Sequence, residues 1–199
     1  MRRSARFLAL GAVLTLGVTL LLLTTFASAA SKDAQHVRWD IISLVAGNPP
    51  TINPGGHASA TAPNGGDTIT LTGSGTFVAP ASGGGAGAAT GGGTWTTSSG
   101  GSGTYQVTGL VSWRTAGPQA STPAFIDNID EGTRTNGTAV LTIAFSDRTQ
   151  GVLTIGCHGP GAPPGTFEGI ATTKNYKTYY SVEDPSPGVD ANRSLFHVR

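Results

Sequence analysis

Residues 67 to 77 read Asp-Thr-Ile-Thr-Leu-Thr-Gly-Ser-Gly-Thr-Phe, and this alternation decides the fold class. Successive side chains of an extended strand point to opposite faces, so Ile69, Leu71 and Phe77 share one face and the hydroxyl groups share the other. An apolar face opposite a hydroxyl face is typical of an antiparallel sheet with its core on one side and water on the other. The stretch therefore predicts a half-buried antiparallel strand.

The same period of two recurs along most of the chain. It is found at 36–45, 101–113, 139–145, 151–157, 167–173, 176–182 and 194–198. No window after residue 30 has the sustained i, i+3, i+4, i+7 spacing of an amphipathic helix. We therefore predict an all-β fold, a single antiparallel barrel or sandwich of about seven to nine strands. Long Gly- and Pro-rich loops are predicted at about 47–66, 80–93, 115–137 and 156–165.

Three segments, 73–77, 91–95 and 101–105, share the pattern Gly-x-Gly-Thr-aromatic. On a strand, both glycines and the ring lie on one face, where the ring can cover the space above a glycine of a neighbouring strand. Alternatively, the bare glycine backbone allows a ligand to approach closely. The pattern favours packing, with ligand contact as the alternative.

The two ends of the chain after the predicted signal peptide resemble each other: residues 35–38 read Gln-His-Val-Arg and residues 196–199 read Phe-His-Val-Arg. If these terminal strands pair side by side, they close the sheet and remove two exposed edges. We therefore predict that the terminal strands are neighbours.

The first thirty residues have the three parts of a secretory signal peptide. Three arginines occur among the first six residues, an uncharged apolar run spans 7–26, and Ala-Ser-Ala-Ala follows at 27–30. Cleavage after Ala29 or Ala30 would leave 31–199 as a single β domain, secreted and without a membrane anchor. The alternative is an uncleaved N-terminal anchor, since the apolar run is longer than usual.

The composition argues against several classes of function. Charged residues make up 12% of the chain, against about 25% in ordinary globular proteins. The chain has 12 basic and 11 acidic residues, and three of the basic ones lie in the predicted signal peptide, which leaves a net charge of −2. With that charge and no Lys/Arg cluster, we expect no nucleic-acid partner. The four histidines have no metal-binding spacing, so we expect no metal, although the acidic stretch 126–132 leaves calcium as an alternative to a solvated loop.

No arrangement typical of nucleophilic catalysis is present. There is no Gly-x-Ser-x-Gly elbow, and Cys157 and His158 are adjacent, so on a strand they point to opposite faces. We predict that Cys157, the single cysteine, is a buried inert thiol and that His158 faces outward at the mouth of a loop. No catalytic residue and no cofactor is predicted.

Aromatic and charged residues interleave in the C-terminal third. Tyr and Arg suit binding surfaces because each combines flat apolar area with hydrogen-bond donors. The candidate ligand-binding residues are His158, Glu168, Tyr176, Tyr179, Tyr180 and Arg193. Alternatively, the rings complete the barrel and the charges pair locally.

These observations favour a secreted, non-enzymatic β module that binds a small molecule, a glycan or a surface partner. One alternative is a small β-barrel enzyme of the isomerase or lyase type with an interior polar site. Another is a structural or adhesive surface protein. Whether His158, Glu168 or Tyr176 converge in one concave pocket would discriminate between the binding module and the enzyme. A pocket lined only by Leu, Val and Phe would favour lipid-type binding, and a filled interior would favour a structural role.

Overall fold

The computed structural model describes residues 34–63, 66–79, 88–180 and 192–199. The predicted signal peptide and residues 80–87 of one predicted loop lie outside this range. Within it, no helix is both long enough and apolar enough to cross a bilayer.

The described residues contain thirteen strands, which belong to one compact unit, Gln35–Arg199. In chain order they are β1 (Gln35–Val45), β2 (Thr51–Pro54), β3 (Ala58–Thr61), β4 (Thr68–Leu71), β5 (Ser74–Ala79), β6 (Ala89–Thr97), β7 (Ser102–Pro118), β8 (Ile126–Asp127), β9 (Thr133–Phe145), β10 (Gln150–Cys157), β11 (Gly169–Lys174), β12 (Lys177–Tyr179) and β13 (Ser194–Val198). All paired strands are antiparallel except β2 and β8, which run parallel. The all-β prediction is confirmed.

Six of these strands close into an antiparallel barrel, in the order β1-β5-β6-β7-β9-β13 and back to β1. Of the two predicted architectures, a barrel or a sandwich, the described strands form the barrel. The strand count is higher than the predicted seven to nine, because further strands pair outside the six-stranded ring.

Five of the seven outer strands form a second ring with three strands of the first. This ring runs β3-β4-β6-β7-β9-β10-β11-β12, and one bridge between Thr61 and Tyr180 joins its ends. The bridge consists of two backbone hydrogen bonds of 2.8 and 2.9 Å. The two rings share β6, β7 and β9, because different neighbours pair with successive parts of β6 and of β9.

Several predicted loops contain short strands instead. The range 47–66 holds β2 and β3, the range 80–93 overlaps the start of β6, and the range 115–137 holds β8, the end of β7 and the start of β9. The range 156–165 contains strand only at its start, since β10 ends at Cys157. These segments lack alternating apolar residues. Their strand conformation comes from pairing with neighbours such as β1, which the local sequence does not encode.

Aromatic side chains fill the interior of the six-stranded barrel. The Trp113 ring on β7 lies 5.5 Å from Phe77 on β5 and 4.6 Å from Phe196 on β13, although neither strand is its neighbour. These contacts therefore cross the barrel. Because Phe77 and Phe196 are at most 2% exposed, the interior is packed with side chains.

The glycine pattern is explained by packing. Gly75 on β5 lies opposite Gly91 on β6. A Cβ atom on Gly75 would lie 2.7 Å from Gly91 Cα and 2.8 Å from Trp39 Nε1, so the indole occupies the space that a side chain would need. The Trp95 ring covers Gly101 and Gly103 in the same way. The geometry supports ring-over-glycine packing rather than open backbone.

The predicted pairing of the two terminal strands is confirmed. β1 and β13 are antiparallel neighbours, with Trp39 opposite Phe196 and Val37 opposite Val198. The side chains of Arg38 on β1 and of Arg199, which directly follows β13, both bind the carboxylate of Glu131. The seam that closes the barrel is thus held by backbone hydrogen bonds and by a shared acidic side chain.

Candidate functional site

A cavity of about 310 Å³ lies against the outer face of the barrel wall, and we call it the outer pocket. Trp39 and Ile41 of β1 belong to the interior face, so Ile42 and Leu44 point outward. The segment that contains β2 and the segment between β7 and β8 cover this outward face. The pocket is lined by the apolar residues Ile42, Leu44, Pro50, Ile52, Pro123, Phe125 and Leu195 and by the polar residues Gln119, His158, Glu168, Arg193 and Ser194, together with Cys157, Gly159 and Pro160.

Glu168 is the buried carboxylic acid of the outer pocket, with 8% of its surface exposed. Its carboxyl oxygens accept hydrogen bonds from the backbone N–H of Ser194, at 2.9 Å, and from the backbone N–H of His158. Burial raises the pKa of Glu168 to about 7, although these amides and the charge of Arg193 act in the opposite direction. Near neutral pH the carboxyl group is therefore present in both protonation states, as donor and as acceptor.

Cys157 lies on the wall of the outer pocket and is 1% exposed, so its predicted burial is confirmed. Its Sγ accepts a hydrogen bond from Nε2 of Gln119 at 3.2 Å. Burial raises the pKa of the thiol, and the nearby Glu168 adds to the effect. The neighbouring His158 is exposed, as predicted, so the two residues do not form a nucleophile–base pair.

A second concavity of about 270 Å³ is formed around the β11–β12 hairpin, and we call it the rim pocket. It is lined by Asp67, Trp95, Thr97, Ser99, Gly101, Asp147, Thr149, Lys174, Asn175, Tyr176, Lys177 and Tyr179. Two ion pairs shape it, Lys174 with Asp147 and Lys177 with Asp67. The hydroxyl of Tyr179 also donates to Asp67 at 3.1 Å.

The structure divides the six predicted binding residues between these places. His158, Glu168 and Arg193 line the outer pocket, whereas Tyr176 and Tyr179 line the rim pocket. Tyr180 lines neither of them and is 54% exposed. His158 and Glu168 therefore converge in one pocket, and Tyr176 belongs to another.

Sequence reasoning missed the apolar wall of the outer pocket and the ion pairs of the rim pocket. One signal for the wall was present: the run Trp-Asp-Ile-Ile-Ser-Leu at 39–44 places apolar side chains on both faces of β1. A strand that is apolar on both faces indicates that both are covered. The ion pairs leave no such signal, because Asp67 and Lys177 are far apart in the chain.

Hydrogen bonds from other protein groups hold Asp127, which lies in the acidic stretch 126–132. Asp127 accepts from the buried His197 ring at 2.9 Å and from the backbone N–H of Ile129 at 3.0 Å. Burial alone would raise the pKa of Asp127, but these hydrogen bonds outweigh it and lower the pKa. Among the residues that the structure describes, no group of three or more His, Cys, Asp or Glu side chains could hold a metal ion.

The outer pocket thus combines apolar walls with one carboxyl group that can donate or accept a hydrogen bond. The rim pocket combines paired charges with hydroxyl groups.

No protein-family model, no curated protein and no solved structure matches the chain.

Proposed function

We propose that the chain is a secreted, non-enzymatic β module that binds a small, largely apolar molecule in the outer pocket. The observation that carries this proposal is the enclosure of one buried carboxyl group, that of Glu168, by apolar walls beside an unfilled volume. Ligand sites in proteins commonly have this composition, a mostly apolar lining with a few placed polar groups.

The size of the outer pocket limits the ligand. A volume of about 310 Å³ is near the lower end of the range for small-molecule sites. Such a cavity suits a compact molecule with one or two rings rather than a long lipid. In the part of the chain that the structure describes, aromatic side chains pack against one another across the barrel interior, so the outer pocket is the better candidate.

The polar groups of the outer pocket indicate which functional group the ligand carries. Backbone amides already fix the carboxyl group of Glu168, so its orientation is set before a ligand arrives. With a pKa of about 7, the group can accept from a hydroxyl or donate to a carbonyl. A ligand with a single hydroxyl or carbonyl group on an apolar body matches this arrangement.

The experiment is calorimetric titration with 1-naphthol, an apolar probe with one hydroxyl group. We expect binding in the wild type and at least about tenfold weaker binding in Leu44→Trp, because the larger ring fills the outer pocket. The matched control is Val45→Trp, which adds the same ring at the adjacent, 51% exposed position and leaves the pocket open.

A second readout does not depend on a variant. In ¹H–¹⁵N spectra of the wild type, 1-naphthol should shift the amide signals of Ile42, Phe125 and Leu195, which line the outer pocket. Absence of both heat and amide shifts at millimolar naphthol, equal affinity in Leu44→Trp, or shifts only elsewhere would contradict the proposal.

An isomerase or lyase is the second candidate, supported by a carboxyl group of raised pKa beside a cavity. Such a reaction also needs groups that stabilise the charge developing on the substrate. The Cys157 thiol, another buried ionisable group of the pocket, has a raised pKa and is hydrogen-bonded by Gln119. Binding needs only the enclosure and the fixed carboxyl group, so it is the better supported function.

A further inference from the structure

We propose that the rim pocket is a second binding site and that it takes a neutral sugar unit of a polysaccharide. This site is separate from the outer pocket, and its ligand belongs to a different chemical class. The inference comes from the charge balance of the rim pocket, the hydroxyl and amide groups that line it, and one exposed aromatic ring.

The charges of the rim pocket cancel. Lys174 pairs with Asp147, and Lys177 pairs with Asp67 at 3.1 Å. The ammonium group of Lys174 is committed further, since it donates to Thr149 Oγ1 at 2.9 Å and lies 4.3 Å from the centre of the Trp95 ring. Two paired lysines give no net attraction for an anion, so the electrostatics favour an uncharged ligand.

Hydrogen-bonding groups are fixed in place around the rim pocket. Asp67 accepts from the backbone N–H and the hydroxyl of Ser99, both at 2.9 Å, and from Lys177 and Tyr179. These bonds hold the surrounding donors in one arrangement. The Lys177 side chain is 44% exposed, so its ammonium group remains accessible to a ligand, and Asn175 lines the pocket beside it. Such interleaved donors and acceptors match the vicinal hydroxyl groups of a sugar.

Tyr176 supplies a flat surface at the edge of the rim pocket. It lies at the tip of the β11–β12 hairpin and is 86% exposed. The preceding Asn175 has a φ of 56°, which is typical of a tight turn and fixes the direction of the tip. An aromatic face is electron-rich, so it attracts the polarised C–H groups on one face of a sugar ring. The ring therefore lies where it could stack on a bound sugar.

The test is cosedimentation of the wild type with three insoluble neutral polysaccharides: cellulose, chitin and starch. We expect retention on at least one of them, little changed by 0.5 M NaCl, and release by the corresponding free mono- or oligosaccharide. Tyr176→Ala should weaken retention about tenfold, which is the loss of about 1.4 kcal/mol. The matched control, Tyr180→Ala, removes an exposed tyrosine of the same segment that lies outside the rim pocket.

Leu44→Trp separates the two sites, because it alters the outer pocket and leaves the rim pocket unchanged. Its retention should equal that of the wild type even if the outer pocket binds nothing. The inference is overturned by no retention on any of the three polysaccharides, by equal retention of Tyr176→Ala, or by retention that 0.5 M NaCl abolishes.

Discussion

Glu168 shows how one side chain can couple the stability of the fold to pH. In an unfolded chain its pKa is near 4.5, and burial in the outer pocket raises it to about 7. Between these values the folded state binds the proton more tightly than the unfolded state. The contribution of Glu168 to stability is therefore fully present below about pH 4.5 and is lost as the pH rises through 7.

Glu168→Gln removes this titration. Relative to the variant, the wild type should lose on the order of 3 kcal/mol of unfolding free energy between pH 4.5 and 8, since one pKa unit corresponds to about 1.36 kcal/mol. Urea denaturation of both proteins at pH 4.5, 6 and 8 measures the difference. Parallel pH profiles for the two proteins would show that the carboxyl group does not titrate differently in the folded state.

Among the secondary-structure elements, the five-residue strand β13 is the one that closes the six-stranded barrel. It lies between β1 and β9 and pairs with both. Its Phe196 is fully buried and contacts Trp113 across the interior, with ring centroids 4.6 Å apart. Without β13, both of its neighbours would expose an edge and the aromatic core would open.

Deleting residues 194–199 should abolish cooperative unfolding of the whole domain, or prevent folding altogether, because the barrel cannot close. Thermal unfolding followed by near-ultraviolet circular dichroism tests this. Phe196→Ala gives a graded version, with an expected loss of about 3–5 kcal/mol. The control Arg199→Ala changes a side chain that is 57% exposed and should cost about 1 kcal/mol or less. A truncated chain that melts like the intact protein would contradict barrel closure by β13.

Across the whole molecule, ion pairs between carboxylates and lysines connect parts of the chain that are far apart in sequence. Hydrogen bonds from Lys174 and Thr149 lower the pKa of Asp147 to about 2. Burial alone would raise the pKa of Asp67, but hydrogen bonds from Ser99, Ser98 and Lys177 outweigh it and lower the pKa. Groups of lowered pKa stabilise the fold above their ordinary pKa of 3.8, and this contribution is lost as the pH falls.

These opposing effects predict a stability maximum on the acidic side of neutrality. The paired aspartates lose their contribution below about pH 4, and Glu168 loses its contribution between about pH 4.5 and 7. The urea midpoint of the wild type, measured from pH 2 to 8, should therefore be highest near pH 4.5 to 5. A midpoint that rises steadily from pH 4.5 to 7 would contradict this balance.

The sequence by itself determined the all-β class, the pairing of the terminal strands and the burial of Cys157. The fold class and the burial of Cys157 depend on which face of a strand a residue occupies, and a period of two is a local property of the chain. The pairing of the terminal strands was predicted from the similarity of 35–38 and 196–199, because neighbouring terminal strands remove two exposed edges.

Only the tertiary structure decided the number of strands, the two rings, and the division of the candidate residues between two pockets. Strands such as β2 and β8 form because a neighbour pairs with them, and Glu168 acquires its raised pKa because distant segments exclude water from it. Pairing and desolvation depend on residues far away in the chain. Their effects become defined only when the chain has closed around them.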